Sequence, residues 1–385
     1  MKKTILIILI ITSSYQLLAQ FEDLTFGTDS TLDVVSWNIE HFPKNGQVTV
    51  DYVVQIIEAL DADVVAIQEM SSLGAFQMLV DALDGWEGYF ASNPYVSLVI
   101  LYKTEVVNNP KFSIIYPDND REFPREPLLC EMVFEGETYI IINNHLKCCG
   151  DGYLDNNDDW DEEKRRLDAC NLLDEFIDEN HPDDRVIVLG DMNDILTDSQ
   201  ANNVFQIFTD DPDNYLFADM EIAEGSEENW SYPSWPSHID HILMTNELFE
   251  DFENTGSEIQ TIKLDEYMDG GWNEYDNNIS DHRPVGLKIK PSSSLGLNDF
   301  LVSKSNLSNF PNPFNAETTI TFDPVPAKAK IEILDMEGQK IQHFTLNNGQ
   351  ASVIWNAGRF PAGVYYVKLI INDQVIELRK MVLLP

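Results

Sequence analysis

Apolar, β-branched runs alternate with amphipathic segments along the first half of the chain. Leu32–Asn38 has the composition of a strand, and Val50–Leu60 carries the apolar spacing of a helix that buries one face. The same order repeats in Asp63–Gln68 and Ser72–Leu83. Four consecutive strands are predicted after them, at Ser97–Lys103, Phe112–Tyr116, Pro127–Phe134 and Thr138–Asn144.

A long helix and three further strands complete this pattern. The helix is predicted over Trp160–Asn180, and the strands over Arg185–Leu189, His238–Met244 and Pro284–Lys290. Helices and strands are interleaved, but a turn at Glu135-Gly136 also predicts an antiparallel hairpin. This mixture indicates a layered α/β or α+β domain.

Six short polar segments lie at the ends of these apolar runs, where a strand delivers side chains to one rim of a sheet. They are Trp37-Asn38, Gln68-Glu69, Arg125-Glu126-Pro127, Asn143-Asn144-His145, Gly190-Asp191-Met192-Asn193 and Ser280-Asp281-His282-Arg283-Pro284. Asn, Glu, His, Asp and Arg are the residue types that hold a divalent cation, orient water and bind phosphate. Each segment alone has a structural explanation, such as a helix cap or a turn. Their combination predicts a phosphate-ester site at that rim.

In this order the six segments resemble those of the endonuclease/exonuclease/phosphatase superfamily. Its members include deoxyribonuclease I, abasic-site endonucleases, sphingomyelinases and inositol phosphatases. The resemblance implies a four-layered sandwich of two mixed β-sheets flanked by helices, in the α/β (α+β) class, over residues 20–290. It also implies hydrolysis of a phosphodiester by in-line attack of an activated water on phosphorus.

The resemblance assigns metal binding to three of these residues. Asn38 and Glu69 match family residues that bind or approach the metal, and Asp281 matches a carboxylate close to it. Mg²⁺ is the expected ion, with Mn²⁺ as an alternative. A hard divalent cation prefers such oxygen ligands and takes few protein carboxylates.

The remaining site residues match catalytic and phosphate-binding positions of the family. Asp240 is expected to orient His282, because a carboxylate on one imidazole nitrogen fixes the tautomer and raises the basicity. Either this pair or Asp191 is expected to activate the water, and the choice between them stays open. Charge on the phosphoryl oxygens would be stabilised by Asn193, His145 and Arg125.

An acidic insertion follows His145 and continues to Glu163. Asp155, Asn157 and Asp159 have the spacing that opens a calcium-binding EF-hand loop, but Trp160 stands where glycine is required. Ca²⁺ is therefore a candidate structural ion, and a solvated loop tied by a disulfide is the alternative.

Four cysteines allow three complete disulfide pairings: Cys130, Cys148, Cys149 and Cys170. Because Cys148 and Cys149 are adjacent, each is expected to pair with a distant partner rather than with the other. Cys130 lies inside a strand-like run, so a buried free thiol is the alternative for that residue.

Both ends of the chain carry targeting features. Residues 1–19 have the basic start, short apolar run and final Ala19 of a signal peptide, and no later segment is apolar enough to span a membrane. Residues 291–307 form a predicted linker. Short alternating strands over 308–385 predict a small Ig-like β-sandwich.

Three short motifs stand out in the C-terminal segment: Asn309-Phe310-Pro311-Asn312-Pro313-Phe314-Asn315, Ala362-Gly363-Val364-Tyr365-Tyr366 and Lys380-Met381-Val382-Leu383-Leu384. They resemble the type A sorting domain of the type IX secretion system. The resemblance implies the outer-membrane secretion machinery as a partner and a secreted or cell-surface protein. A carbohydrate- or protein-binding module is the alternative.

The chain is strongly acidic, with a net charge of −42, and the excess lies in its first part. Residues 20–290 hold 58 acidic and 14 basic residues, whereas residues 291–385 hold 8 of each. Such a surface repels nucleic acid at low salt. Two interpretations remain open: adaptation to high salt or divalent cations, or a small substrate.

The sequence as a whole predicts a secreted, Mg²⁺-dependent phosphodiesterase, an endonuclease acting on extracellular DNA or RNA as a monomer. A phosphatase or a phospholipid phosphodiesterase of the same fold is one alternative. Residues Met70-Ser71-Ser72 place no basic residue after the Gln-Glu pair, where deoxyribonuclease I-like members carry one that reaches the minor groove, and this argues against a duplex-binding mode like theirs. A catalytically silent, cation-binding surface protein is the alternative from another class.

Overall fold

The structure, a computed structural model, describes residues 20–90, 97–292, 307–324, 329–336, 338–371 and 374–384. The predicted signal peptide and most of the predicted linker therefore lie outside the described residues. The chain divides into two compact units, of which the first ends at Ser292 and the second begins at Ser293. No helix in the described part of the chain is long and apolar enough to cross a membrane.

The first unit is built on two six-stranded sheets. In spatial order the first sheet contains β11 (Glu258–Thr261), β12 (Val285–Ile289), β1 (Leu32–Phe42), β2 (Val64–Met70), β4 (Val99–Lys103) and β3 (Trp86–Phe90). The second contains β5 (Asn108–Ile114), β6 (Leu128–Phe134), β7 (Glu137–His145), β8 (Arg185–Asp191), β10 (Asp240–Thr245) and β9 (Tyr215–Phe217). Both sheets are mixed: β1 pairs with β2 in parallel, as does β7 with β8, and the other pairs are antiparallel.

Helices surround the two sheets, and all but the short Phe249–Phe252 helix, whose two phenylalanines pack against the core between the sheets, cover the outer faces. They are α1 (Gln47–Leu60), α2 (Leu73–Ala82), α3 (Glu162–Asn180), α4 (Gln206–Thr209), α5 (Met220–Ala223), α6 (Phe249–Phe252) and α7 (Gly271–Asn278), with 3₁₀ turns at Glu227–Asn229, Asn246–Leu248 and Leu264–Tyr267. Successive strand residues point to opposite faces, so Val34 packs between the sheets while Val35 packs under α1 and α2. A third core lies between the second sheet and α3. The four-layered sandwich predicted from the sequence is confirmed.

The second unit has two antiparallel sheets that share one core. One contains β13 (Ser308–Phe310), β14 (Glu317–Thr321) and β17 (Ser352–Asn356), and the other β16 (Lys340–Leu346), β15 (Ala329–Leu334), β18 (Gly363–Ile371) and β19 (Gln374–Leu383). Phe314, Ile320, Trp355 and Val367 are buried between them. This agrees with the predicted β-sandwich.

Gln68 and Asn143 connect the two sheets of the first unit near one rim. The Gln68 amide donates to Asn143 Oδ1 at 2.7 Å, and Asn143 Nδ2 donates to the carbonyls of Ile67 at 3.1 Å and Val99 at 2.9 Å. Both side chains are fully buried. Because buried amides must find partners, this pair fixes how the sheets face each other.

Asp33 and Asp63 form a buried carboxyl pair at the other end of the first sheet. Asp63 Oδ2 accepts the backbone N–H of Asp33 at 2.9 Å, and Asp33 accepts the Thr28 N–H and the Thr31 hydroxyl at 2.7 Å each. Burial raises the pKa of Asp33 to about 6 and that of Asp63 to about 7.

We expect Asn143→Ala to lower the free energy of unfolding by about 3 kcal/mol, because it orphans buried carbonyls and the Gln68 amide. Urea unfolding measures this change. The control Asn273→Ala alters an exposed side chain on α7 and should stay within about 0.5 kcal/mol of wild type. Equal stabilities of the two variants would contradict the connecting role of Asn143.

We expect Asp63→Asn to flatten the pH dependence of stability. The raised pKa of Asp63 means that its stabilising neutral form is present at about pH 4 and is lost as the pH rises through about 7. From about pH 5 to about pH 8, wild type should therefore lose about 1–2 kcal/mol more unfolding free energy than Asp63→Asn. Urea titrations at both pH values measure this difference in unfolding free energy. Exposed Asp29→Asn is the control and should show the same pH dependence as wild type.

Candidate active site

Strand ends from both sheets meet at the rim beside the Gln68–Asn143 pair. β1 and β2 carry Asn38 and Glu69 from the first sheet, and β7, β8 and β10 carry His145, Asp191 and Asp240 from the second. Strand pairing aligns the second set, because Asp191 is the register partner of both His145 and Asp240. The structure thus brings together residues that are more than 200 positions apart in the sequence.

Asp191 lies at the centre of this site and is buried. Its Oδ2 accepts a hydrogen bond from Asn38 Nδ2 at 2.9 Å and lies 3.3 Å from His145 Nε2 and 3.9 Å from His282 Nε2. The other oxygen accepts the backbone N–H of Asn193 at 3.0 Å. Burial raises the pKa of the Asp191 carboxyl, and the charge of His282 opposes that rise.

His282 and Asp240 form a buried imidazole–carboxylate pair. The Nδ1 atom of His282 is 2.8 Å from Asp240 Oδ2, which leaves Nε2 directed toward Asp191. Although burial lowers the pKa of His282, the Asp240 carboxylate raises it more, to about 10. The Ser280 hydroxyl donates to the Asn38 carbonyl at 2.7 Å and so anchors the His282 turn to β1.

Asn38 and Glu69 present oxygen atoms on the first sheet's side of the site. Asn38 Nδ2 is 3.5 Å from Glu69 Oε1, while Asn38 Oδ1 is buried without a hydrogen-bond partner among the described residues. Asp281 Oδ1 lies 3.9 Å from His282 Nε2, on the same rim. An orphaned amide oxygen and two carboxylates fit a hard divalent cation, so these three predicted ligands suit the group that the sequence implied.

Arg125, Asn193 and His145 also lie around Asp191. Arg125 Nη1 and Asn193 Nδ2 both donate to the Leu146 carbonyl, at 3.2 and 3.3 Å. Burial and the Arg125 charge lower the pKa of His145, so this imidazole is neutral. Each of the nine predicted site residues therefore lies at this rim.

Sequence reasoning missed a second buried cluster that supports the site. His241 Nδ1 lies 2.6 Å from Asp219 Oδ2 and its Nε2 lies 2.9 Å from the Asp194 carbonyl, while His238 Nε2 is 3.0 Å from Asp219 Oδ2. His238 Nδ1 accepts the Ser231 N–H at 3.2 Å, so its proton is on Nε2 and faces Asp219. His241 and Asp219 form a hydrogen-bonded ion pair, because the Asp219 carboxylate raises the pKa of His241 against the lowering effect of burial, and His241 also holds the loop after Asp191 through the Asp194 carbonyl. Two histidines around Asp240 in an apolar run were the available signal.

Tyr232 lies beside the site, on an aromatic, Pro-rich loop that precedes Asp240 and for which the sequence favours packing over base stacking. Its ring centroid lies 4.7 Å from that of His282. Paired main-chain hydrogen bonds between Tyr232 and Ser237 form a tight loop that carries Trp235, which is 79% exposed. A cavity of about 420 Å³ adjoins this loop, and its wall includes Trp230, Trp235 and Thr197.

The predicted cysteine pairing is wrong. Cys148 and Cys149 are bonded to each other, and Cys130 and Cys170 are free and buried. Cys130 faces the core between the sheets, whereas Cys170 lies in the core under α3. The second sheet separates these two thiols, so they cannot pair.

The acidic insertion closes on itself in the structure. Asp155 Oδ1 accepts the Asn157 backbone N–H at 2.9 Å and the Asn157 side chain at 3.0 Å. Among the described residues, three His, Cys, Asp or Glu ligand atoms converge only at Asp191–Asp240–His282 and at Asp219–His238–His241. A calcium ion in the insertion stays a prediction.

Two of the similar solved structures, both of D. rerio TDP2, show the same fold. A humanized D. rerio TDP2 carrying 14 mutations is 15% identical, with 68% of this chain and 100% of that chain covered and a TM-score of 0.50. D. rerio TDP2 complexed with a single-strand DNA product is 14% identical, with the same coverages and a TM-score of 0.51. The human Nocturnin catalytic domain with bound sulfate is 15% identical, with 68% and 95% covered and a TM-score of 0.49.

Sequence comparisons identify both parts of the chain. No curated protein matches it. Residues 308–383 match the secretion system C-terminal sorting domain, which indicates export to the cell surface or the medium. Residues 35–282 match the endonuclease/exonuclease/phosphatase family, and this range spans the whole site described above. The chain belongs to the endonuclease/exonuclease/phosphatase family.

Proposed function

We propose that the protein is a secreted, divalent-metal-dependent phosphodiesterase that cleaves extracellular DNA or RNA. The observation that carries this proposal is the arrangement around Asp191. The Asn38 amide bonds to Asp191 and lies next to Glu69, the His282–Asp240 pair lies 3.9 Å from Asp191, and Asn193 and Arg125 share the Leu146 carbonyl beside it. Hydrolysis of a phosphodiester needs a metal site, a base and anion-stabilising donors in this arrangement.

Asn38, Glu69 and Asp281 would hold the cation, which when bound neutralises phosphate charge and polarises a phosphoryl oxygen. Asp191 Oδ2 and His282 Nε2 lie 3.9 Å apart, so a water beside them can contact both. It can lose its proton to Asp191, or to His282 in the fraction of molecules whose imidazole is neutral. Asp240 keeps His282 in the required tautomer and stabilises its positive form. Arg125, Asn193 and neutral His145 stabilise charge on the phosphoryl oxygens.

The aromatic loop beside His282 favours a nucleic acid over a simple phosphomonoester. Tyr232 and exposed Trp235 offer stacking surfaces for bases, and stacking contributes about 1–3 kcal/mol per base in single-strand binding proteins. The acidic surface is the one observation that favours the alternative, a small phosphoester or phospholipid headgroup.

The export route belongs to the same proposal. Residues 1–19 act as a signal peptide, and the C-terminal domain is handled by the type IX machinery at the outer membrane. Such a route places the enzyme where extracellular nucleic acid is available as a source of phosphate or carbon.

We expect the protein to cleave plasmid, single-stranded DNA or RNA with Mg²⁺ and not with EDTA. His282→Ala should lower kcat by about 10³-fold, because it removes the imidazole that faces Asp191. Gel and fluorescence assays over a range of salt measure this, with His343→Ala in the second unit as the matched control. Full activity of His282→Ala would reject the base assignment, and no cleavage of any polymer would reject the nuclease.

We expect Glu69→Gln to weaken Mn²⁺ binding by about 10-fold or more, because it removes the carboxylate next to Asn38. Calorimetric titration measures the affinity without any assay of activity. About 0.5 M KCl in the buffer screens the acidic surface and isolates the specific site. Exposed Glu105→Gln is the control, and equal affinities of the two variants would remove Glu69 from the metal site.

A further inference from the structure

The segment Leu146–Cys149 follows His145 directly, and each of its four carbonyls accepts a hydrogen bond from a side chain. The Leu146 carbonyl accepts from Arg125 at 3.2 Å and from Asn193 at 3.3 Å. Arg166 Nη1 donates to the Lys147 carbonyl at 2.8 Å and to the Cys149 carbonyl at 2.7 Å. The Cys148 carbonyl accepts from Lys147 Nζ at 2.7 Å. The path of this backbone therefore determines where several site residues lie.

Arg166 extends this network to the other site loop. It lies on α3, is buried, and donates through Nε to Asp194 Oδ2 at 2.8 Å. Asp194 directly follows Asn193, and its carbonyl is held by His241. The segment after His145 and the loop after Asp191 are thus fastened to each other through one guanidinium group.

The Cys148–Cys149 disulfide lies inside this segment. The bond closes a small ring around the peptide group between the two residues, and Cys149 adopts a left-handed φ of 74°. A ring of this size restricts the backbone torsions on both sides of that peptide. These torsions set the directions of the Lys147 and Cys149 carbonyls, to which Arg166 donates. Cys149 is exposed and Cys148 half-buried, so a reductant can reach the bond.

We propose that the Cys148–Cys149 disulfide is a redox-sensitive positioning element for the phosphate-binding residues Arg125 and Asn193. Reduction frees the ring torsions, lets the Lys147 and Cys149 carbonyls leave Arg166, and loosens the Leu146 carbonyl on which Arg125 and Asn193 rest. The enzyme is then folded but poorly active. The proposal rests on the proposed function for its effect on catalysis, and on the hydrogen bonds alone for its effect on structure.

The redox step is an exchange with a dithiol reductant. A reductant thiolate attacks one protein sulfur, the protein S–S bond breaks, and the other cysteine leaves as a thiolate. The second thiol of the reductant then attacks the reductant's own sulfur in the mixed disulfide, and the first cysteine leaves as a thiolate. Cys148 and Cys149 gain two electrons and two protons, and the reductant becomes a disulfide.

The test compares the full exported chain before and after reduction by a phosphine or a dithiol, with mass spectrometry confirming the state of Cys148 and Cys149. We expect reduction to lower kcat for a cleaved polymer by about 10-fold or more, because misplacement of about 1 Å at a reacting phosphate is that costly. The melting temperature should change little, since a bond between neighbours closes almost no chain loop. Reoxidation should restore the rate.

Two variants make the result specific. Cys148→Ala/Cys149→Ala should match the reduced wild type in rate and ignore the reductant, which excludes an effect of the reductant on the metal. Cys130→Ala/Cys170→Ala removes the two buried thiols and should keep the full response. A reduced wild type with undiminished kcat, or an alanine pair as fast as the oxidised protein, would overturn the proposal.

Hydrogen–deuterium exchange separates this proposal from the proposed function. Reduction should speed exchange in residues 146–152 and 191–195 and leave β7 unchanged. If no form of the protein cleaves any phosphoester, the proposed function fails while this readout still decides the positioning role. Unchanged exchange in both loops, or a purified exported protein without the Cys148–Cys149 bond, would overturn it.

Discussion

The contact between the two sheets is the constraint on which the rest of the structure depends. Asn38 and Glu69 arrive on the first sheet, and His282 lies in the loop that leads into its strand β12. Asp191 and Asp240 arrive on the second sheet, so neither sheet holds the candidate site alone. Gln68 and Asn143 set the registration of the two faces one residue away from Glu69 and two from His145. Apolar packing supplies the attraction between the sheets, but it is not directional, so sliding one sheet along the other would cost little packing energy. Buried amides add the directional term that such packing lacks.

The length and burial of each strand explain which elements the sequence revealed. Strands such as β2 and β8 are buried on both faces, so their apolar runs are unmistakable. The edge strands β3, β9 and β11 were missed, because they are short and expose alternate residues. Helix α7 was missed for a related reason: its sequence, Gly-Trp-Asn-Glu-Tyr-Asp-Asn-Asn, buries only Tyr275.

The site residues that lie at strand ends were predictable from the sequence. Contacts that depend on which strands lie next to each other were not. Asn38, Glu69 and Asp191 follow apolar runs, so their shared rim can be read from local patterns. The partnership of His241 with Asp219 depends on how β10 lies against β9, which no local pattern encodes. The prediction of the disulfide pairing was wrong for the same reason. Adjacency argued against a Cys148–Cys149 bond, but the fold buries Cys130 and Cys170 in separate cores as free thiols.

The negative charge of the first unit has a consequence for how the proposed metal site would be filled. One amide and two carboxylates make a modest ligand set, which would hold a divalent ion weakly in a neutral protein. Residues 20–290 hold 58 acidic and 14 basic residues, and this excess of negative charge attracts a counterion atmosphere in which divalent ions accumulate more steeply than monovalent ions do. The ion concentration at the rim therefore exceeds that of the surrounding water. The acidic surface would keep divalent ions concentrated close to the proposed site. The same counterions would screen the repulsion between this surface and an approaching polyanion.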